Sequence, residues 1–89
     1  MNQLLSDKTF VIIGGTTGIG LSTAESFISE GANVVVVGRN SNNVDKAKST
    51  LGKSALGLTG DATRAETAVK AIDLATKKFG GFNGLYHVA

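Results

Sequence analysis

The sequence predicts an α/β domain built on a parallel sheet. Short apolar runs without polar alternation recur along the chain, and each of the first three is followed by a segment with helical spacing. Glycines stand at the joints between them. Strands of this kind are buried on both faces, which is the condition of a parallel sheet with helices packed against it.

Thr9–Ile13 is β-branched and aromatic, and reads as the first strand. A helix is expected from Gly18 or Ile19 to about Glu30, with Ile19, Thr23, Ala24, Phe27 and Ile28 on one face. Gly31 stops it, as a residue suited to the left-handed position after a helix. Asn33–Val37, with four consecutive valines, is the second strand and the middle of the sheet. Ser41, Asn42 and Asn43 offer N-caps for a helix from about Asn43 to Leu51, closed by Gly52. Ser54–Thr59 is a weaker third strand, and Gly60-Asp61-Ala62 turns out of it.

Thr63-x-x-Glu66 has the pattern of a capping box. The helix it starts runs to about Phe79, with Ala65, Val69, Ile72, Ala75 and Phe79 along one stripe, and Gly80-Gly81 ends it. Leu85–Ala89 is the fourth strand. The order is βαβαβαβ within one domain.

Composition excludes several functions. An apolar fraction of 42% suits a chain that buries a core, and twelve glycines without proline fit tight turns between unbroken elements. Nine basic against seven acidic residues leave a net charge of +2, with no basic cluster or aromatic platform to hold nucleic acid. The absence of cysteine rules out disulfides and thiolate–metal sites, and no metal site is expected. Met1–Lys8 is mostly polar and does not read as a signal peptide. Apolar runs such as Val34–Val37 are far short of the roughly 20 residues that span a bilayer. The expectation is a soluble, cytoplasmic protein.

The chemistry centres on Ile13-Gly14-Gly15-Thr16-Thr17-Gly18-Ile19-Gly20, between the first strand and first helix. Gly14 lets the chain leave the strand in a conformation that a Cβ disfavours. Gly18 removes a side chain where a pyrophosphate would approach, and Gly20 allows close helix–strand packing. Helix amides and the positive end of the helix dipole then face the phosphates, with Thr16 and Thr17 adding hydroxyl donors. A Walker-type loop is disfavoured because no Lys follows the second glycine group. A methyltransferase-like domain would show an acidic residue after the second strand, where Gly38 and Arg39 stand instead.

This stretch resembles the N-terminal half of a short-chain dehydrogenase/reductase. The family's T-G-x-x-x-G-x-G motif overlays Ile13–Gly20 with all three glycines matched and Ile13 in place of the usual Thr. The resemblance covers nearly the whole chain. It implies a Rossmann-like, doubly wound parallel sheet of order 3-2-1-4, and a nicotinamide dinucleotide cofactor.

Three further segments match. Gly38-Arg39 lies about 18 residues beyond Gly20, where an acidic residue would bind the ribose 2′-hydroxyl and an Arg can pair with a 2′-phosphate. The lean is to NADP(H), with NAD(H) as the alternative. Gly60-Asp61-Ala62 resembles the family's Asp-Val step, which implies that Asp61 accepts from the adenine amino group while Ala62 packs on the ring. Leu85–Ala89 stands at the family's N-N-A-G strand end, with Ala89 matched and His87 and Val88 replacing the two Asn. His87 is expected to line the groove and Tyr86 to pack, without catalytic roles.

By the resemblance, the cofactor-binding set is Gly14, Thr16, Thr17, Gly18, Ile19, Gly20, Arg39, Asp61, Ala62 and His87. The family's catalytic Ser, Tyr, Lys and Asn normally lie beyond the fourth strand, and none is carried over. The expectation is therefore the NAD(P)-binding part of an oxidoreductase acting on a carbonyl or alcohol, a piece of a longer, homo-oligomeric enzyme and inactive alone. The fourth strand would then be a raw edge, and one helix would not cover its sheet face. The alternatives are a nucleotide-binding sensor without turnover, and a structural fragment that binds nothing measurable.

Overall fold

The structure, a computed structural model, describes residues 4–14 and 16–88. Its elements are β1 (Thr9–Ile13), α1 (Gly18–Ser29), β2 (Asn33–Gly38), α2 (Ser41–Leu51), a 3₁₀ turn (Gly52–Ser54), β3 (Ala55–Thr59), α3 (Ala65–Phe79) and β4 (Gly84–His87). The strands form one sheet of order β3-β2-β1-β4, every neighbouring pair parallel. This is the expected Rossmann-like arrangement.

The β2 valines divide the core. Val34 and Val36 join Ile12, Ala24, Ala47, Leu51 and Ala55 on the α1/α2 side. Val35 and Val37 join Val11, Ile13, Ala71 and Ala75 on the α3 side. All four are fully buried, each worth about 1.5–3 kcal/mol relative to exposure. Helices on both faces explain why Val34–Val37 place apolar side chains on both sides of the strand.

On the α3 side the one helix covers part of the sheet face. Over β1 and β2 a single helix buries the sheet, because Ala71 and Ala75 let it approach closely. Leu56 and Leu58 of β3 are half-buried, and Leu85 of the edge strand β4 is exposed. On the other face Tyr86 meets Phe27 edge-on at 5.6 Å while keeping half its surface free. Asn83 pins the start of β4: its backbone N–H donates to the Thr9 carbonyl and its side-chain oxygen accepts from the Thr9 N–H, both at 2.8 Å.

The expected helix faces hold in part: Ala24, Phe27 and Ile28 of α1 and Ile72, Ala75 and Phe79 of α3 pack against the sheet, while Ile19, Ala65, Val69 and two caps depart. In α1 the buried positions are Gly20 and Ala24, while Ile19 is 77% exposed. Asn40 caps α2, its side-chain oxygen accepting from the Asn42 and Asn43 amides at 2.9 and 3.2 Å. The cap therefore precedes Ser41. The Thr63–Glu66 capping box does not form. Arg64 holds the cap position, the Thr63 hydroxyl donates to Asp61, and Glu66 pairs with Arg64 at 2.8 Å.

The buried face of α3 is Thr67, Ala71 and Ala75, while Ala65 and Val69 are exposed. Thr67 fixes this rotation. Its side chain rests where Gly60 lacks a Cβ, which would lie 2.8 Å from Thr67 Cγ2. Val69, two residues from Thr67 and from Ala71, is then turned about 200° away.

Candidate functional site

The C-terminal ends of the strands gather the chemistry. Three hydrogen bonds carry the parallel ladder past the strand ends: Gly14 N–H to the Val37 carbonyl (2.8 Å), Gly60 N–H to Gly38 (2.9 Å) and Val88 N–H to Ile13 (2.9 Å). They hold the glycine turn, the β2 exit, the β3 exit and the β4 exit along one edge. In open α/β sheets ligands bind at this edge, where the strand order reverses. Here the reversal lies at β1, between β2 and β4.

The glycines of the turn differ in physical role. Gly14 has φ +89°, and a Cβ there would lie 2.7 Å from the Val88 carbonyl oxygen. Glycine is required both by the backbone and by the close approach of β4. Gly18 has φ +54°, but a Cβ on it would meet nothing within 4 Å. No described residue blocks that side of the turn. Gly20 is buried in the α1 contact with the sheet. Gly15, inside the same motif, lies outside the described residues, as does Ala89.

Thr16 and Thr17 part company. Thr16 is half-buried, its side chain 2.8 Å from the place a Cβ on Gly38 would take. Thr17 is exposed at the cap position of α1, extended, and makes no side-chain cap. With no acidic residue in its first turn, α1 presents N–H donors and the positive end of its dipole without a side-chain cap among the described residues. The 77% exposure of Ile19 places an apolar side chain beside those donors instead of in the core.

Arg39 is exposed beyond the end of β2 and enters no ion pair among the described residues. Asp61 follows β3. Its Oδ1 accepts from the Thr63 hydroxyl at 2.7 Å and the Thr63 amide at 2.9 Å. These bonds, hydroxyl first, hold its pKa below the ordinary aspartate value, and the charges of Arg39 and Arg64 add to the effect. The contacts that Thr63, Asn40 and Val88 make at this edge are ones that sequence reading missed. Asp-x-Thr is a recognisable local turn signal, and Asn before Ser41 a cap signal. The approach of Val88 to Gly14 is long-range and leaves no local trace. Ala62 is half-buried, packed against the α3-side core. His87, exposed, pairs in register with Ile13, the last β1 residue before the turn.

The residues fit a dinucleotide. Among the described residues, open space at Gly18, first-turn donors on α1 without a side-chain cap, a side-chain-free Gly38 and an Arg39 outside any ion pair are what a pyrophosphate and an adenosine ribose would need. Among the described residues no group of three or more metal-ligating side chains occurs. Nor is any helix among them long and apolar enough to cross a membrane.

The fold and this edge define a nucleotide-binding type of α/β domain, and comparison makes the family specific. The chain belongs to the short-chain dehydrogenase family, whose model matches residues 8–89. It is 38% identical over 91 residues to a peroxisomal 2,4-dienoyl-CoA reductase of Mus musculus, covering 98% of this chain and 31% of that protein. It is 42% identical over 52 residues to an NADP-dependent (R)-specific alcohol dehydrogenase of Lentilactobacillus kefiri, covering 58% and 21% respectively. A crystal structure of a short chain dehydrogenase from Bacillus anthracis superposes with a TM-score of 0.84 at 30% identity, over 93% of this chain and 35% of that one. The chain thus spans about a third or less of the length of these relatives.

Proposed function

We propose that this chain is the cofactor-binding part of a single Rossmann domain in an oxidoreductase, holding NADP(H) for hydride exchange with a carbonyl or alcohol substrate. The observation that carries the reading is the side of Gly18 that no described residue blocks, beside the N-terminus of α1 without a side-chain cap. A nicotinamide dinucleotide brings the hydride chemistry with it, and the protein supplies binding and orientation. The first-turn amides of α1 and the Thr17 hydroxyl donate to the pyrophosphate, with Gly14, Gly18 and Gly20 shaping the approach. The exposed Ile19 side chain lies against the cofactor and excludes water there. Arg39 pairs with the 2′-phosphate. Asp61 Oδ2, which bonds to no described residue while Oδ1 is held by Thr63, accepts from the adenine amino group, and Ala62 adjoins the ring. His87 lines the groove.

No residue of this chain is given a catalytic role, and proton transfer to the substrate belongs to other parts of the enzyme. The NADP dependence of the Lentilactobacillus kefiri relative supports the cofactor choice, as does the absence of an acidic side chain at positions 38 and 39. We also place the enzyme in the cytoplasm as a homo-oligomer, readings supported by the lack of cysteine and by the resemblance. The testing experiment is Arg39→Ala in the full-length protein, titrated with both cofactors. NADPH should weaken by at least about tenfold, as expected for loss of a charge-assisted phosphate contact, with NADH little changed. Equal effects on both refute the phosphate role.

A second reading is a nucleotide sensor without turnover, favoured by His87 and Val88 standing where the family has two Asn. Cofactor binding without oxidation of NADPH by any of a panel of aldehydes and ketones would favour it.

A further inference from the structure

We infer that Thr16 is a specificity-determining residue: it fills the space over Gly38 and so excludes from position 38 the acidic side chain that would hold an unphosphorylated ribose. The inference rests on the dinucleotide reading above and goes beyond it, because it moves part of the cofactor choice from the end of β2 into the glycine turn.

The geometry is a tight interlock. A Cβ on Gly38 would lie 2.8 Å from both Thr16 Cγ2 and Oγ1, and 3.3 Å from Thr16 Cβ. Real Cβ atoms do not approach other atoms at 2.8 Å, so any side chain at 38 must displace Thr16. Neither partner can easily retreat. Gly38 is held from β3 by pairing with Thr59 and by the Gly60 N–H bond to its carbonyl at 2.9 Å. The turn bearing Thr16 is tied to β2 by the Gly14 N–H bond to Val37 at 2.8 Å. Rotation of Thr16 about χ1 gives only partial relief, because both heavy atoms of the branched side chain face Gly38 and either other staggered rotamer withdraws one while leaving one in contact.

The electrostatic consequence follows from position. With residue 38 bare, Arg39 is the charged side chain at the β2 exit, and no carboxylate of its own strand neutralises it. An Asp at 38 would oppose a 2′-phosphate by like charge and compete for Arg39. Thr16 keeps that carboxylate out by volume alone. Gly38 and Thr16 therefore act as a pair, and changing one without the other loses packing without gaining a new preference.

The test compares Gly38→Asp, Thr16→Ala and the double variant in the full-length protein. Each is titrated with NADPH and NADH by nucleotide fluorescence, and its thermal midpoint is read without nucleotide. Gly38→Asp alone should lose about tenfold or more in affinity for both nucleotides and unfold at lower temperature. The double variant should regain NADH binding, prefer NADH over NADPH, and recover part of the midpoint. Gly38→Asp alone binding NADH as tightly as the double variant, at the wild-type midpoint, would overturn the interlock. If Gly38→Asp does not fold, Gly38→Ala with and without Thr16→Ala reads the same coupling. A midpoint lowered by Gly38→Ala and restored in the pair supports it, and additive losses overturn it. Wild-type protein that binds neither nucleotide refutes the dinucleotide reading and this inference with it. Wild-type binding with additive variants refutes the inference alone.

Discussion

Replacing Gly14 and Gly18 by alanine, one at a time, separates two uses of glycine that the motif writes with the same letter. At Gly14 the added Cβ meets two obstacles. The left-handed backbone at φ +89° costs an L-residue about 1–2 kcal/mol. The Val88 carbonyl oxygen, 2.7 Å from the new atom, belongs to the backbone leaving β4 and must shift, and forced overpacking of this kind costs typically about 1–3 kcal/mol. Together, Gly14→Ala should destabilise by about 2–5 kcal/mol. At Gly18 only the first cost applies, because φ is +54° and nothing lies within 4 Å of the new Cβ. Gly18→Ala should cost about 1–2 kcal/mol in stability. Its Cβ would instead occupy the phosphate approach, so NADPH affinity should drop by at least about tenfold. Urea unfolding of the full-length variants gives the first pair of numbers and cofactor titration the last. If Gly18→Ala destabilises as much as Gly14→Ala, or leaves NADPH binding intact, the assignment of packing to one glycine and ligand access to the other is wrong.

Further consequences are open to measurement. Asn40→Ala removes the cap of α2 and should cost about 1 kcal/mol in urea unfolding, whereas Ser41→Ala should cost only a few tenths. An unchanged stability in Asn40→Ala would contradict the cap assignment. Because Asp61 has a pKa below that of an unfolded aspartate, its contribution to stability is fully present above the ordinary value and is lost as pH falls through its folded value. Thr63→Val should raise the Asp61 titration midpoint seen by NMR. A midpoint unmoved by that change would show that Thr63 does not hold the carboxylate. Ala71→Leu, under fully buried packing against β1 and β2, should cost about 1–3 kcal/mol, while Val69→Ala should cost less than about 0.5 kcal/mol at its exposed position. The reverse order would support the stripe that periodicity alone assigned.

That stripe shows where the sequence stops being legible. The strands were readable because valine and isoleucine runs buried on both faces have one physical solution, and β1 in particular begins and ends where expected. The sheet order followed from the family resemblance. The rotation of α3 was not readable, because it depends on Thr67 seating on Gly60, a contact between segments that local periodicity does not see. A Val and a Thr two residues apart look like core and surface until that contact is known. The capping box fails for a related reason: the Thr63 side chain is turned back onto Asp61, two residues earlier, and Arg64 takes the cap position. Spacing assigns Ile19 to the core, yet it is 77% exposed. The glycine motif gave Thr16 and Thr17 one role, and only the packing of Thr16 on Gly38 distinguishes them.

The central claim is that the strand-end edge around the β1–α1 turn holds a dinucleotide with its 2′-phosphate at Arg39. An amide-resolved NMR titration of isotopically labelled full-length protein with NADPH, repeated with NADH, tests it most directly. Perturbed amides should cluster at Gly14, Thr16–Gly20, Arg39, Asp61, Ala62 and His87, with those next to Arg39 responding to NADPH more than to NADH. Perturbations centred elsewhere, or an identical response to the two cofactors at Arg39, would contradict it.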